Sequence, residues 1–397
     1  MKRETEISLM ERVFEHIKNR SCDMAETVTK IPVSNYTCEQ RFEKEKQVLF
    51  RHFPVVVGYS SQLANVGDYI THELTDVPII VSRQKDGSLS AFINACRHRG
   101  ARLTHEPSGN TKRTFVCPFH AWGFSCKDGK LKGVPRAYGF PELDKSQYAL
   151  ARLPVAERYG VIFVVPTAIE GSDDEAFNLD IDKYLGPMAA DLDTWGFNSH
   201  KVFKAANFEK KLNWKLHLDI NCETYHFREL HGKTAGEVYL KDVSVMDYVK
   251  PHFRGVAPQC SIVEQADLPK EQWQLNGHAG LLYTMFPNTL FFVSTGFAHV
   301  LSVFPQDVDN VVFQSAMLVP NEPDTEQNTQ LWQLHFDNYW QTMVEDIHIG
   351  ESMHSTMRSG AQKEIIFGRY EHISAAFEQA VDDAINGNFT KDDVGKD

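Results

Sequence analysis

Positive charge is in short supply in this sequence, where 41 Lys and Arg stand against 53 Asp and Glu and leave a net charge of -12. That balance argues against nucleic acid as a partner, whose affinity rests on neutralising phosphates. Nowhere do 18 consecutive apolar residues occur, so no membrane span is expected. The first twenty residues, MKRETEISLMERVFEHIKNR, spread their charges evenly and hold no apolar run of secretory length, which makes the cytoplasm the expected compartment. Cysteines are few and odd in number. The seven (Cys22, Cys38, Cys96, Cys117, Cys126, Cys222, Cys260) are scattered, unlike a disulfide framework, and some of them read better as metal ligands. Internal repeats and low-complexity segments are absent too, which sets aside solenoid and disordered architectures.

What is present suits a folded protein of two domains. The chain has 397 residues, 42% of them hydrophobic, and exceeds the ~250 to 300 at which single cores stop growing. Ile7, Met10, Val13 and Ile17 recur at helical spacing, and residues 1–50 read as a helical arm packing on the C-terminal domain. From about residue 53 short β-branched and aromatic runs alternate with turns: PIIVSRQ, Asp86-Gly87, LSAFINA, TFVCPF, WGFSC, Lys127-Asp128-Gly129-Lys130 and GVIFVV. These predict a small antiparallel β-domain over 51–166. The acidic stretch EGSDDEAFNLD at 170–180 is the candidate linker. Beyond it, LLYTMF, LFFVST and VVFQSAMLV read as strands enclosed by helical segments near 205–230 and 325–360, which predicts an α+β domain over 167–397.

Chemistry enters with two boxes. Cys96-Arg97-His98 and Cys117-Pro118-Phe119-His120 form C-x-H and C-x2-H, 18 residues apart, each after a predicted strand and followed by a glycine, Gly100 or Gly123. Glycine lets the backbone approach a cluster and donate N–H groups to its sulfurs. Two thiolates on one iron and two imidazoles on the other make a Rieske [2Fe-2S] centre. A structural zinc site is the alternative, but zinc modules usually pair like with like, C-x2-4-C with H-x3-5-H. CRHRGARL followed by CPFHAWGF resembles the α subunits of Rieske-type non-haem iron oxygenases. Respiratory Rieske proteins carry an extra cysteine in each box; Arg99 and Phe119 flank the ligands here, and no loop disulfide is expected.

A second ligand set lies in NWKLHLDINCETYHFRELHG, residues 213–232, which resembles the iron-binding stretch of that family. Glu223 and His226, three apart, share one helical face. His226 and His231 sit about 140° apart on a straight helix and can share a metal only if the helix breaks between them, a break expected at Gly232. A carboxylate would complete a facial triad for Fe(II). In the C-terminal helix Trp332, Phe336, Tyr339, Met343 and Ile347 form the buried stripe. Projection at about 100° per residue puts Asp346 within ~40° of it, and Glu345 and His348 on the opposite face. Asp346 is therefore the expected third ligand, with a salt bridge to an internal Lys or Arg as the alternative, and replacing Glu345 is expected to change little. His217 reads as a hydrogen-bonded core residue without a role.

The resemblance implies more. In that family the acid at the place of Glu223 links a cluster histidine of one subunit to an iron histidine of its neighbour, here His120 to His226; glutamate there is similar to the carnitine-type oxygenases. It implies a helix-grip catalytic domain after the Rieske domain, and a homotrimer with or without a β subunit. It also implies electrons from NADH through a separate reductase or ferredoxin, since the chain has no nucleotide-binding loop. Nine Lys and Arg between Arg97 and Arg136, against Glu106 and Asp128, would steer an acidic donor to the cluster. The implied activity is that of a terminal oxygenase acting with O2 on a small molecule, an aromatic ring favoured. Oxidative N- or O-demethylation of a methylated or quaternary ammonium substrate is one alternative; a Rieske electron carrier and a helix-grip lipid-binding module are alternatives of other classes. Tyr283, Phe286, Phe291, Phe292 and Phe297 are pocket candidates, most of them equally suited to the core.

Overall fold

A computed structural model describes residues 1–111, 113–170, 174–294, 296–320 and 325–394. It divides into two compact units: Phe50–Ile181, and Met1–Leu49 together with Asp182–Asp397. Among the described residues no helix is long and apolar enough to cross a membrane.

The first unit is built on antiparallel sheets. Five strands pair in the order Arg152–Leu153, Leu89–Ile93, Ile79–Arg83, Asp68–His72, Ser108–Asn110. Val155–Arg158, Val161–Val164 and Val55–Tyr59 form a second sheet; Thr114–Val116, Gly123–Ser125 and Leu131–Gly133 form a third. The turn between Arg83 and Leu89 closes because Gly87 adopts φ +84 and Asp86 Oδ1 accepts from Ser88 N at 3.1 Å. Ile80, Phe92, Phe115, Trp122 and Phe124 pack with Cys96 and Cys117 in one core, so burial itself presents the two thiols at the base of the two box loops. Of the expected linker, residues 171–173 lie outside the described residues, and the remainder stays with this unit. Phe177 is buried, with the Arg152 guanidinium 3.9 Å from its ring centroid.

The second unit is built on seven antiparallel strands in the order Lys201–Lys210, Val311–Val319, Phe297–Pro305, Thr289–Ser294, Ala279–Met285, His252–Pro258, Val245–Val249. Phe297–Pro305 and Val311–Val319 are buried at every position, His299, Ser302, Gln314 and Ser315 included. The long helix Glu326–Met357 starts where Thr325 Oγ1 accepts from Asn328 N at 3.1 Å and lies on the sheet, Trp332 and Phe336 against Phe297, Met317 and Val319. Gly350 lets it approach Leu212, whose Cδ1 would stand 3.1 Å from any Cβ there.

Three expectations change. The arm is not wholly helical: between helices Arg3–Asn19 and Glu39–His52, strand Thr29–Pro32 pairs with Glu364–Phe367. Residues 201–210 are an edge strand, not helix; its lysines and Glu209 mark a charged edge and mask the alternation. The helix Trp214–Asn221, at the head of the stretch 213–232, stops before Glu223, and a short 3-10 turn, Tyr225–Arg228, follows. That helix is anchored from beneath. Asn213 caps it, Oδ1 accepting from Lys215 N at 3.1 Å; Trp214 Nε1 donates to Glu45 Oε2 at 2.9 Å; and fully buried Lys215 donates to Glu45 Oε1 and to Asn35 O, each at 2.6 Å.

Candidate metal centres

In the first unit Cys96 and Cys117 are buried, while His120 is exposed and His98 half-buried, so sulfurs face inward and imidazoles outward. The rings of His98 and His120 lie 4.8 Å apart, and His98 stacks on Trp122 at 4.7 Å, nearly parallel. Burial raises the pKa of the Cys96 thiol and the neighbouring Cys117 adds to this, against backbone N–H groups of His98 and Arg99 aimed at its sulfur. Those N–H groups are the expected donors to a cluster sulfide environment. All seven cysteines are free, with no disulfide in either loop. Two inward thiols, two outward imidazoles and backbone donors at a sulfur fit a Rieske cluster. Lys112 of the basic stretch lies outside the described residues; Arg97, Arg99, Arg113, Lys127, Lys130, Lys132 and Arg136 are exposed, with Arg99 5.3 Å from the Phe119 ring centroid.

In the second unit the chain end of the short helix brings the other set together. His226, His231 and Asp346 each offer one ligand atom, and these lie within 4.8 Å of one another. Nε2 of His231 is 2.9 Å and Nε2 of His226 3.6 Å from Asp346 Oδ1. His231 Nε2 and Asp346 Oδ1 are buried, yet at 2.9 Å they have no hydrogen-bond geometry between them and no other hydrogen-bond partner among the described residues. Orphaned polar atoms that converge at this range are what a metal ion satisfies. The break that lets both histidines face one point lies before His226, at Cys222, rather than at Gly232.

Each histidine is held from behind. His226 Nδ1 is 2.5 Å from Glu223 Oε1, while Glu223 Oε2 accepts from the backbone N–H groups of Tyr225 and His226. His231 Nδ1 is 2.7 Å from Glu345 Oε2, which also accepts from Thr234 Oγ1 at 2.7 Å. Glu345 is thus part of the site, contrary to the helical projection. Its side chain leaves the helix about 100° from Asp346, and His231 sits between the two directions. Burial works against charge on His231, but the Asp346 and Glu345 carboxylates outweigh it and raise the ring's pKa. His348 is exposed. His217 is a core residue, as expected: burial draws it down to about 4, and Asn221 Nδ2 lies 3.3 Å from its Nε2.

A cavity of about 470 Å³ opens between the long helix and the sheet and reaches His231 and Asp346. Phe227, Tyr239, Phe292, Phe297, Tyr339 and Met343 supply much of its apolar lining. Of the five aromatic candidates, Phe292 and Phe297 line it; Tyr283, Phe286 and Phe291 are buried outside its lining. The carboxylate behind His231 could have been suspected from the sequence only by noticing that two adjacent acids occur at the metal-binding turn of the long helix.

Residues 53–144 match the Rieske [2Fe-2S] domain and residues 197–387 the ring hydroxylating alpha subunit (catalytic domain). The chain thus carries a Rieske domain followed by a ring-hydroxylating alpha-subunit catalytic domain. Chlorobenzene dioxygenase subunit alpha of Cupriavidus sp. is 34% identical over 48% of this chain and 42% of its own length. The carnitine monooxygenase oxygenase subunit of Acinetobacter baumannii is 27% identical over 85% of this chain and 88% of its own. The chain spans about half the length of the first curated relatives it matches. Among solved structures, the quaternary ammonium Rieske monooxygenase CntA in complex with L-carnitine superposes with TM-score 0.74 at 25% identity, covering 91% of this chain and 96% of that one. Naphthalene 1,2-dioxygenase from Rhodococcus sp. gives 0.70 at 20%, covering 96% and 98%. The chain shares their α+β fold, the β domain first and the catalytic domain after it.

Proposed function

We propose that this Rieske oxygenase is the terminal component of a multicomponent system that uses dioxygen to hydroxylate a small organic substrate, an aromatic ring favoured. Cys96, His98, Cys117 and His120 hold the [2Fe-2S] cluster, and His226, His231 and Asp346 hold Fe(II). When bound, the cluster supplies single electrons and the Fe(II) supplies open positions for dioxygen. The observation that carries this reading is the convergence of His226, His231 and Asp346 at the end of the apolar cavity that His231 and Asp346 line. The chain's own part is to hold both sets, to exclude water and to set a substrate carbon beside Asp346. Phe292 and Phe297 suit a planar substrate face.

Oxidative demethylation of a methylated or quaternary ammonium substrate is the second reading. It is supported by Glu223, by likeness to a carnitine monooxygenase over 88% of that protein, and by ring faces that also suit a cation. Electrons would come from NADH through a separate reductase or ferredoxin, drawn to the basic face around the cluster. Three chains would assemble so that Glu223 joins His226 to His120 of a neighbour. Oxygen uptake with a surrogate reductase, screened against aromatic acids and methylated amines, tests the function. Uptake matched by product in one set, and abolished by Asp346→Ala, is expected; cluster turnover without product in either set would contradict it.

A further inference from the structure

An imidazole that binds a metal through one nitrogen must place its other nitrogen somewhere, and whatever meets it decides where the proton sits and how the ring is turned. For His226 that partner is Glu223, three residues away on the same turn. For His231 it comes from across the unit: Glu345 Oε2 lies 2.7 Å from Nδ1, on the opposite edge of the ring from Nε2, which faces Asp346 at 2.9 Å. The two ring nitrogens diverge, so a carboxylate at Nδ1 cannot share a metal with Nε2. Glu345 therefore does not belong among the ligands, although it stands next to one.

The carboxylate is itself held. Thr234 Oγ1 donates to the same oxygen at 2.7 Å, and Thr234 belongs to the loop that wraps His231, where the backbone N–H groups of Thr234 and Gly236 donate to the His231 carbonyl at 2.9 and 2.8 Å. Gly236 has no room for a side chain, since a Cβ would fall 2.7 Å from that carbonyl oxygen. His231 is 1% exposed, whereas the Glu345 side chain keeps 28% of its surface, so its charge stays hydrated while it meets a buried ring.

We propose that Glu345 is a positioning residue of the mononuclear centre. It holds the Nδ1 proton of His231 and leaves the Nε2 lone pair free for the metal. One helix thus delivers a ligand, Asp346, and in the preceding residue the group that orients a second ligand from another segment. The proposal rests on His226, His231 and Asp346 being the ligands.

The test is anaerobic titration of Fe(II) into full-length protein that keeps its cluster but has been stripped of mononuclear iron by chelation. The high-spin EPR signal of the ferrous–nitrosyl complex is recorded in parallel. Glu345→Ala is expected to bind Fe(II) roughly 10–100-fold more weakly and to change that signal, with cluster absorption and metal-free melting temperature unaltered. Glu345→Gln, whose amide oxygen still accepts from Nδ1–H, is expected to stay close to wild type in both. Wild-type affinity and signal in Glu345→Ala would overturn the proposal. So would equal losses in Glu345→Gln and Glu345→Ala, which would show that charge and not an acceptor for Nδ1–H is what matters, or a fall in metal-free melting temperature that accompanies the loss, which would leave only a scaffold role. His231→Ala separates this from the ligand reading: it should lose Fe(II) binding altogether, and wild-type binding there would remove His231 from the ligand set.

Discussion

Glu223 engages both carboxylate oxygens within its own chain, one beside His226 Nδ1 and the other at the backbone N–H groups of Tyr225 and His226. A carboxylate offers about four lone-pair sites, so capacity remains for a second imidazole brought by a neighbouring subunit. Glu223→Gln is expected to retain both metals and a reducible cluster, yet to slow cluster reoxidation in a single turnover of pre-reduced enzyme by roughly 10–100-fold. Loss of mononuclear iron would make Glu223 a ligand, and unchanged reoxidation would deny it the bridge. The Rieske domain was legible because each Cys–His pair is local, set within one loop where spacing alone suggests the chemistry. Asp346 was legible because a buried acid on an apolar stripe needs a partner. Glu345 was not: a projection that sorts a helix into an inner and an outer face overlooks a histidine approaching from the flank, where residues about 100° apart can both reach the same ring.

The short helix Trp214–Asn221 is the element on which the mononuclear site depends, and its sequence explains its position better than its length. Asn213 caps it and also donates from Nδ2 to Tyr36 O at 3.1 Å, while Lys215 reaches Glu45 and, at 3.6 Å, Glu378 of helix His372–Ile385. Arg41 joins the same group, 2.9 Å from Glu45 and 3.5 Å from Glu378. Three separate segments are thereby fastened to the helix that leads into Glu223 and His226. Removing one member of a buried pair leaves an uncompensated charge. Glu45→Ala is accordingly expected to destabilise the unit by about 3–5 kcal/mol in denaturant unfolding, with weaker iron retention at the site; a stability within error of wild type would show that Glu378 alone suffices for Lys215. Val311–Val319 could be read from its largely hydrophobic run, because it is buried along its whole length; Phe297–Pro305, buried just as fully, was not read, since His299 and Ser302 interrupt it. Lys201–Lys210 could not be read either, since an edge strand with three lysines and two alanines departs from a strand-like composition and owes its conformation to pairing with Val311–Val319. The early stop of the short helix also escaped, because no glycine or proline marks Cys222; the Glu223 carboxylate capturing the following N–H groups ends it instead.

For the whole molecule, the sequence distributes the chemistry over two units, a cluster set within Phe50–Ile181 and an iron set within the remainder. If electrons cross between subunits, each chain need carry only one intact set. Chains bearing Cys117→Ala, dead at the cluster, and chains bearing Asp346→Ala, dead at the iron, are expected to be inactive separately. Assembled together they should recover a readily measurable fraction of oxygenase turnover. No recovery in proven mixed assemblies would confine electron passage to a single chain. The Rieske ferredoxin and helix-grip binding readings differ from the oxygenase at this scale in one countable property, the iron that the second unit holds. Iron quantitation on the purified, fully loaded protein should give three per chain, two in the [2Fe-2S] cluster and one in the His226, His231 and Asp346 site, falling to two in Asp346→Ala with the cluster spectrum intact. Two irons per chain in the wild type, unchanged by Asp346→Ala, would contradict the account.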